Sequence, residues 1–152
     1  MAIRQKTIYT MKMAAACPSH SLANISVRDV TLPIDEPTER GGTNAGPTPT
    51  ETAVGALLGC TNVIAHKCAD KLGIDIGHLD IEASCDFDRR GVMLSEEIEV
   101  PFQAITLNIK ADGPATAAEL EQVRNEVQKF CPLAKLFKNA GATIEENWQA
   151  AG

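Results

Sequence analysis

Residues 6–16 alternate polar and apolar side chains, with Tyr9, Met11 and Met13 on one face, and a period of two predicts a strand. Past the Pro18-Ser19-His20 break, residues 21–32 carry Leu22, Ile25, Val27, Val30 and Leu32 and predict a second strand. Residues 33–49 read as a long loop, punctuated by Pro33, Pro37, Gly41, Gly42, Gly46, Pro47 and Pro49. Long ordered loops in small domains often carry function. The period then changes. Pro49 and Thr50 start a helix that Gly73 ends, and Glu51 suits the positive end of its dipole. From Thr52 to Gly59 this helix is apolar almost all round, which predicts burial. Gly55 and Gly59 are spaced for close backbone approach to another element. Asn62, His66, Lys67, Asp70 and Lys71 make its second half amphipathic.

Period two returns at residues 78–87, with Leu79, Ile81, Ala83, Cys85 and Phe87, and again at residues 100–110. Asp88-Arg89-Arg90-Gly91 reads as a turn, and residues 92–99 could extend either strand. A second helix runs from Thr116 to Phe130, with Thr116 as N-cap and Glu119 three residues on, the pattern of a capping box. Leu120, Val123, Val127 and Phe130 form its apolar stripe. Pro132 interrupts it, residues 133–140 resume helically to Gly141, and Thr143 to Trp148 predict a closing strand. Strands, helix, strands, helix give an α+β class rather than regular βαβ winding.

At 152 residues the chain suits one domain, 1–152, large enough for a core without staples. Fourteen Lys and Arg against 20 Asp and Glu give a net charge of −6, and only 4% of residues are aromatic. Both features argue against a nucleic-acid partner. No apolar run is long enough for a membrane span. Met13-Ala14-Ala15-Ala16-Cys17 faintly resembles a lipoprotein processing site, but Gln5, Lys6 and Lys12 interrupt the apolar region that such a signal needs. A cytoplasmic location with reduced thiols is therefore expected.

Five cysteines are an odd number, so a fully paired framework is excluded. Cys60 sits in the middle of the long helix, a position that usually means a small packed side chain. Cys131 precedes Pro132, and two readings stand open: a proline kink, or a new helix with Cys131 as N-cap and a lowered thiol pKa. Cys68 lies eight residues beyond Cys60, about 12 Å along the helix, too far to bridge. Cys85 reads as core and Cys17 as incidental. His66 and Cys68 lack the ligand spacing of a zinc site. The working pair left is Cys60 with Cys131, brought together by helix packing.

Asp35-Glu36-Pro37, Gly41-Gly42-Thr43, Gly46-Pro47-Thr48-Pro49-Thr50-Glu51, Leu57-Leu58-Gly59-Cys60 and Phe130-Cys131-Pro132-Leu133 form one ordered series. Over roughly residues 33–145 it resembles the OsmC/Ohr superfamily, the osmotically inducible and organic hydroperoxide resistance proteins. The resemblance implies an α+β fold, with antiparallel sheets wrapped around two long central helices in an intertwined homodimer. It implies that Cys60 attacks a small organic hydroperoxide and that Cys131 resolves the sulfenic acid as a disulfide. A dithiol reductant, typically lipoyl-bound, restores the pair, and no cofactor is required. The family uses an arginine and a glutamate at the thiolate. Arg40, twenty residues before Cys60, stands where one branch places its arginine, and Arg28 is the fallback. The glutamate usually lies ten residues before the first cysteine. Thr50 holds that place here, and Glu51 follows it, nine residues before Cys60, which turns it about half a turn round the helix to face elsewhere, where it caps the helix or orients Arg40. A non-enzymatic relative that binds a hydrophobic ligand, or a redox sensor, is the alternative.

Overall fold

The computed structural model describes residues 6–152, in two compact units, Met1–Ala53 and Val54–Gly152. The first unit holds a three-stranded antiparallel sheet of β1 (Ala14–Ala16), β2 (Ala23–Val27) and β3 (Val30–Ile34), in the order β1-β2-β3. The expected strand over residues 21–32 is thus a hairpin, turned at Arg28-Asp29, with Arg28 at φ 52°. No glycine or proline marks that turn, which is why the sequence pattern runs straight through it. The strand expected from residue 6 is confined to Ala14–Ala16. Ala14 already faces Ser26, one residue short of the end of β2, so residues 6–12 run past the end of that strand. Tyr9, Met11 and Met13 lie exposed.

β3 leads into a loop containing a single 3-10 turn, Thr38–Arg40. The long helix α1 (Pro49–Leu72) then begins in the first unit and continues through the second. Its buried residues, Leu57, Thr61, Ala65, Cys68 and Ala69, recur at helical spacing along one stripe. The burial all round expected for its first half is not found within this chain. Gly55, Ala56 and Gly59 are exposed, and no described residue stands within 4 Å of where a Cβ at either glycine would lie.

The second unit carries β4 (Leu79–Phe87), β5 (Phe102–Ala111), α2 (Ala117–Phe130), α3 (Pro132–Asn139) and β6 (Thr143–Gln149). β5 is central, antiparallel to β4 and parallel to β6. The antiparallel sheets implied by the resemblance are found except in this last pairing. A parallel neighbour needs a crossover rather than a hairpin, and α2 with α3 provides it. Ile105, Leu107, Ile109 and Ala111 alternate into the core, as do Leu120, Val123 and Val127 of α2 and Phe137 of α3. Phe102 joins these layers, its ring centroid 5.0 Å from Phe87 and 5.2 Å from Phe137. Phe130, read as part of the stripe of α2, is instead 54% exposed.

Residues 92–99 extend neither strand. Arg90 braces the connection, gripping Asp88 (Nη2–Oδ2 2.7 Å) and Glu96 (Nη1–Oε2 2.9 Å), while its carbonyl accepts from Ser95. These bonds curl the backbone away from any ladder.

The start of α2 matches the sequence reading. The Thr116 hydroxyl accepts from the Glu119 N–H (3.2 Å), and the Glu119 carboxylate accepts from the Thr116 N–H (2.8 Å). Thr116→Ala should lower stability by about 1 kcal/mol, or about 2–4 °C in melting temperature for a chain of this size. Thr116→Gly should cost only a few tenths of that, because glycine also suits the N-cap. Equal losses by thermal denaturation would contradict the cap.

Candidate active site

Pro132 settles the two readings of Cys131. It takes the first position of α3, so the chain restarts a helix rather than kinking one. Cys131 closes α2 through its N–H to the Val127 carbonyl (2.9 Å) and caps α3 through Sγ, which accepts from the Ala134 N–H (3.5 Å). Its side chain is fully buried. Cys60 reaches the same place from α1 and is only partly buried. Cys60 lies close enough to Cys131 to act on its ionisation, and the two are free thiols rather than a disulfide.

The expectation that a helix N-terminus lowers the Cys131 pKa is overturned. Burial pushes the thiol up to about 11, helped by the adjacent Cys60 thiol, and the Ala134 and Leu133 N–H groups only partly offset this. A thiolate loses more by leaving water than two backbone dipoles return. Cys131 is thus a protonated, shielded thiol beside a more accessible one.

Cys60, Ile64 and Cys68 follow one another at intervals of four along α1. A cavity of about 240 Å3 is lined by Ile64, Lys67, Cys68, Lys71 and Phe130, and neither Cys60 nor Cys131 is part of its lining. Lys71 Nζ lies 5.4 Å from the Phe130 ring centroid. A wider cavity, about 510 Å3, lined by His66, Asp70 and the 73–77 segment, contains neither thiol of the pair. His66 spends both ring nitrogens on backbone carbonyls, those of Asn62 and Gly77, at 2.9 Å each. Cys68 is buried, with its thiol pKa raised by burial, and Cys17 is exposed. Cys85, read as core, is only half-buried on β4.

Glu51 and Arg40 both lie in the first unit and do not pair with each other. Glu51 accepts from the Thr48 N–H (2.9 Å), and its own N–H donates to Thr48 Oγ1 (3.2 Å). This reciprocal box caps α1, so the carboxylate is occupied at the helix start and is not the group that orients Arg40. The orienting role falls to Glu36, whose Oε2 accepts from Arg40 Nε at 2.7 Å. The terminal amino groups of Arg40 have no partner among the described residues. Arg28 occupies the hairpin turn instead. The cap is the first of the two roles expected for Glu51, and Thr48-x-x-Glu51 is its sequence signal; the Glu36–Arg40 spacing of four is the signal for the pair that the sequence reading did not use.

The OsmC-like protein family model matches residues 42–147. A search of curated proteins finds no match. Among solved structures, an OsmC-like protein from Mycoplasma pneumoniae superposes with a TM-score of 0.78 at 15% identity, covering 95% of this chain and 99% of that one. An organic hydroperoxide resistance protein OsmC from Legionella pneumophila gives 0.70 at 16% identity, covering 95% and 99%. The organic hydroperoxide resistance protein OhrB of Bacillus subtilis gives 0.64 at 17%, covering 93% and 98%.

The two thiols should differ in native alkylation. At pH 8 roughly one Cys131 in a thousand is thiolate, given its pKa of about 11. Peptide mapping after iodoacetamide treatment should find Cys60 labelled well ahead of Cys131, whose labelling climbs as pH approaches 11. Equal labelling at pH 8 would contradict the burial argument.

Proposed function

The chain belongs to the OsmC-like protein family, and from that premise we propose that it is a thiol-dependent peroxidase reducing organic hydroperoxides through Cys60 and Cys131. The observation that carries this reading is the nearness of a partly exposed thiol, Cys60, to a buried one, Cys131, that keeps its proton.

The chemistry divides along that asymmetry. The Cys60 thiolate attacks the distal oxygen of the hydroperoxide, the O–O bond breaks, and the alkoxide leaves with a proton as the alcohol. Cys60 is then a sulfenic acid. Cys131 attacks its sulfur, an S–S bond forms, and the hydroxyl leaves with the Cys131 proton as water. A small dithiol, such as a lipoyl group, takes up the disulfide by exchange and leaves both cysteines reduced. Arg40, oriented by Glu36, is the cation proposed to stabilise the thiolate and the developing alkoxide. The cavity along α1 combines the apolar Ile64 and Phe130 with Lys67 and Lys71, and neither thiol of the pair lines it.

The same reading includes a homodimer, in which a second copy covers the exposed glycine face of α1, and a reducing cytoplasm that keeps the thiols available. No helix among the described residues is long and apolar enough to cross a membrane. Binding of a hydrophobic ligand without turnover, or redox sensing, is the second reading. It is favoured by one observation: Glu51, nearest to the family's usual glutamate position, is committed to a helix cap.

Cumene hydroperoxide consumption with dihydrolipoamide separates these readings. Cys60→Ser should reduce the rate to that of the uncatalysed reaction. Cys131→Ser should still consume one equivalent and leave a Cys60 sulfenic acid, trapped by dimedone and seen by mass spectrometry. Arg40→Ala should lower kcat/KM about tenfold to a hundredfold, the worth of one charge-assisted hydrogen bond. Wild-type turnover no faster than Cys60→Ser would sink the peroxidase and leave the binding role.

A further inference from the structure

We propose that Asp35 is a positioning residue for the reaction, holding Glu36, and through it Arg40, in a fixed place. The inference rests on the part assigned to Arg40 above.

Asp35 is fully buried. A buried carboxylate must be paired or fully hydrogen-bonded, and no cation among the described residues pairs with this one. Most of its partners come from the loop itself, and the Ser21 hydroxyl adds to them. Oδ1 accepts from the Glu36 N–H at 2.8 Å, and Oδ2 accepts from the Thr43 N–H and the Ala45 N–H at 3.1 Å each and from the Thr43 hydroxyl. The Asp35 N–H donates to the Pro47 carbonyl at 3.0 Å. One side chain thus draws residues 36, 43 and 45 together and closes the loop around residues 37–42. The donors, with the Thr43 hydroxyl foremost, hold the carboxyl well below the usual carboxylate range.

The clasp fixes Glu36 on both sides. Its N–H is held by Asp35, and its carbonyl accepts from the Asn44 N–H at 3.0 Å. A Cβ at Gly42 would overlap that same carbonyl, so the strands of the loop run in direct backbone contact. From this anchored residue the Glu36 carboxylate reaches the Arg40 guanidinium at the end of the 3-10 turn. The ion pair itself is exposed, Arg40 by 60% and Glu36 by 33%. Exposed pairs of this kind contribute little to stability, so the pair does not organise the loop. Order runs the other way, from the buried charge outward to the guanidinium.

Asp35→Asn is the sharp variant. In either orientation its amide sets an NH2 group against backbone donors. Thr43→Val, which removes only the hydroxyl donor, is the milder variant should Asp35→Asn not fold. Two readouts are compared with wild type and Arg40→Ala. The first is the Arg40 Nε–H resonance at mildly acidic pH, which reports the Glu36 bond independently of activity. The second is kcat/KM for cumene hydroperoxide. Asp35→Asn should lose the protected Nε–H resonance and bring kcat/KM down to that of Arg40→Ala, with the double variant no worse than either. Thr43→Val should shift both in the same direction by less. Survival of the Nε–H resonance in Asp35→Asn overturns the proposal, as does wild-type kcat/KM with the resonance lost, or single defects that multiply in the double variant. Failure of the peroxidase reading shows separately, as activity that survives Cys60→Ser.

Discussion

Burial of Cys131 against the turn it caps is the constraint on which the candidate site depends. Pro132 removes one backbone donor and forces the helix to restart, which leaves N–H groups facing inward at the junction of α2 and α3. A sulfur accepts one of them at 3.5 Å. Helix dipole and desolvation act on this thiol with opposite signs, and desolvation wins. The outcome is a thiol that holds its proton yet lies near a second thiol, Cys60. Such a group is a poor first nucleophile and a well-placed second one. In the proposed reaction two cysteines of the same chemistry take different tasks because their accessibility differs.

A similar division separates three carboxylates within 17 residues of chain. Asp35 is buried and fastens a loop, Glu36 is half-exposed and grips Arg40, and Glu51 closes a helix cap. Their roles follow from the donors around each one. Glu51 sits three residues beyond a threonine at a helix start, where N–H groups lack partners, and meets them at low conformational cost. Once committed there it is not free to reach Arg40. Glu36, four residues before Arg40, takes that part by proximity.

What could be read in the sequence was what neighbours in sequence decide. The capping box at Thr116, the proline at the start of α3 and the alternation in β4 and β5 are short-range patterns, and the structure shows all of them. The Cys60–Cys131 pairing was legible only by elimination and by resemblance, since 71 residues separate them. Features set by distant parts of the chain were not legible. The parallel placement of β6 depends on where α2 and α3 deliver it, and Phe130 fits the spacing of its helix yet has no layer to cover it. The reach of β1 is limited by the length of β2, which the apolar pattern of residues 6–13 does not reveal.

Gly55 and Gly59 sharpen the last of these points. Glycine inside a helix costs about 1 kcal/mol relative to alanine, and both positions have open space where a Cβ would go. Nothing among the described residues explains why alanine is not there. Ala56 shares the exposed stretch, and all three residues are small, so a helix axis could approach this face closely. α1 also carries Cys60 on its partly buried side. A second copy seated on the glycine face, as in the proposed homodimer, would hold α1 between two bodies and stiffen the element that sets the Cys60 thiol against Cys131. Assembly and thiol geometry would then be properties of one helix, and weakening the first would loosen the second.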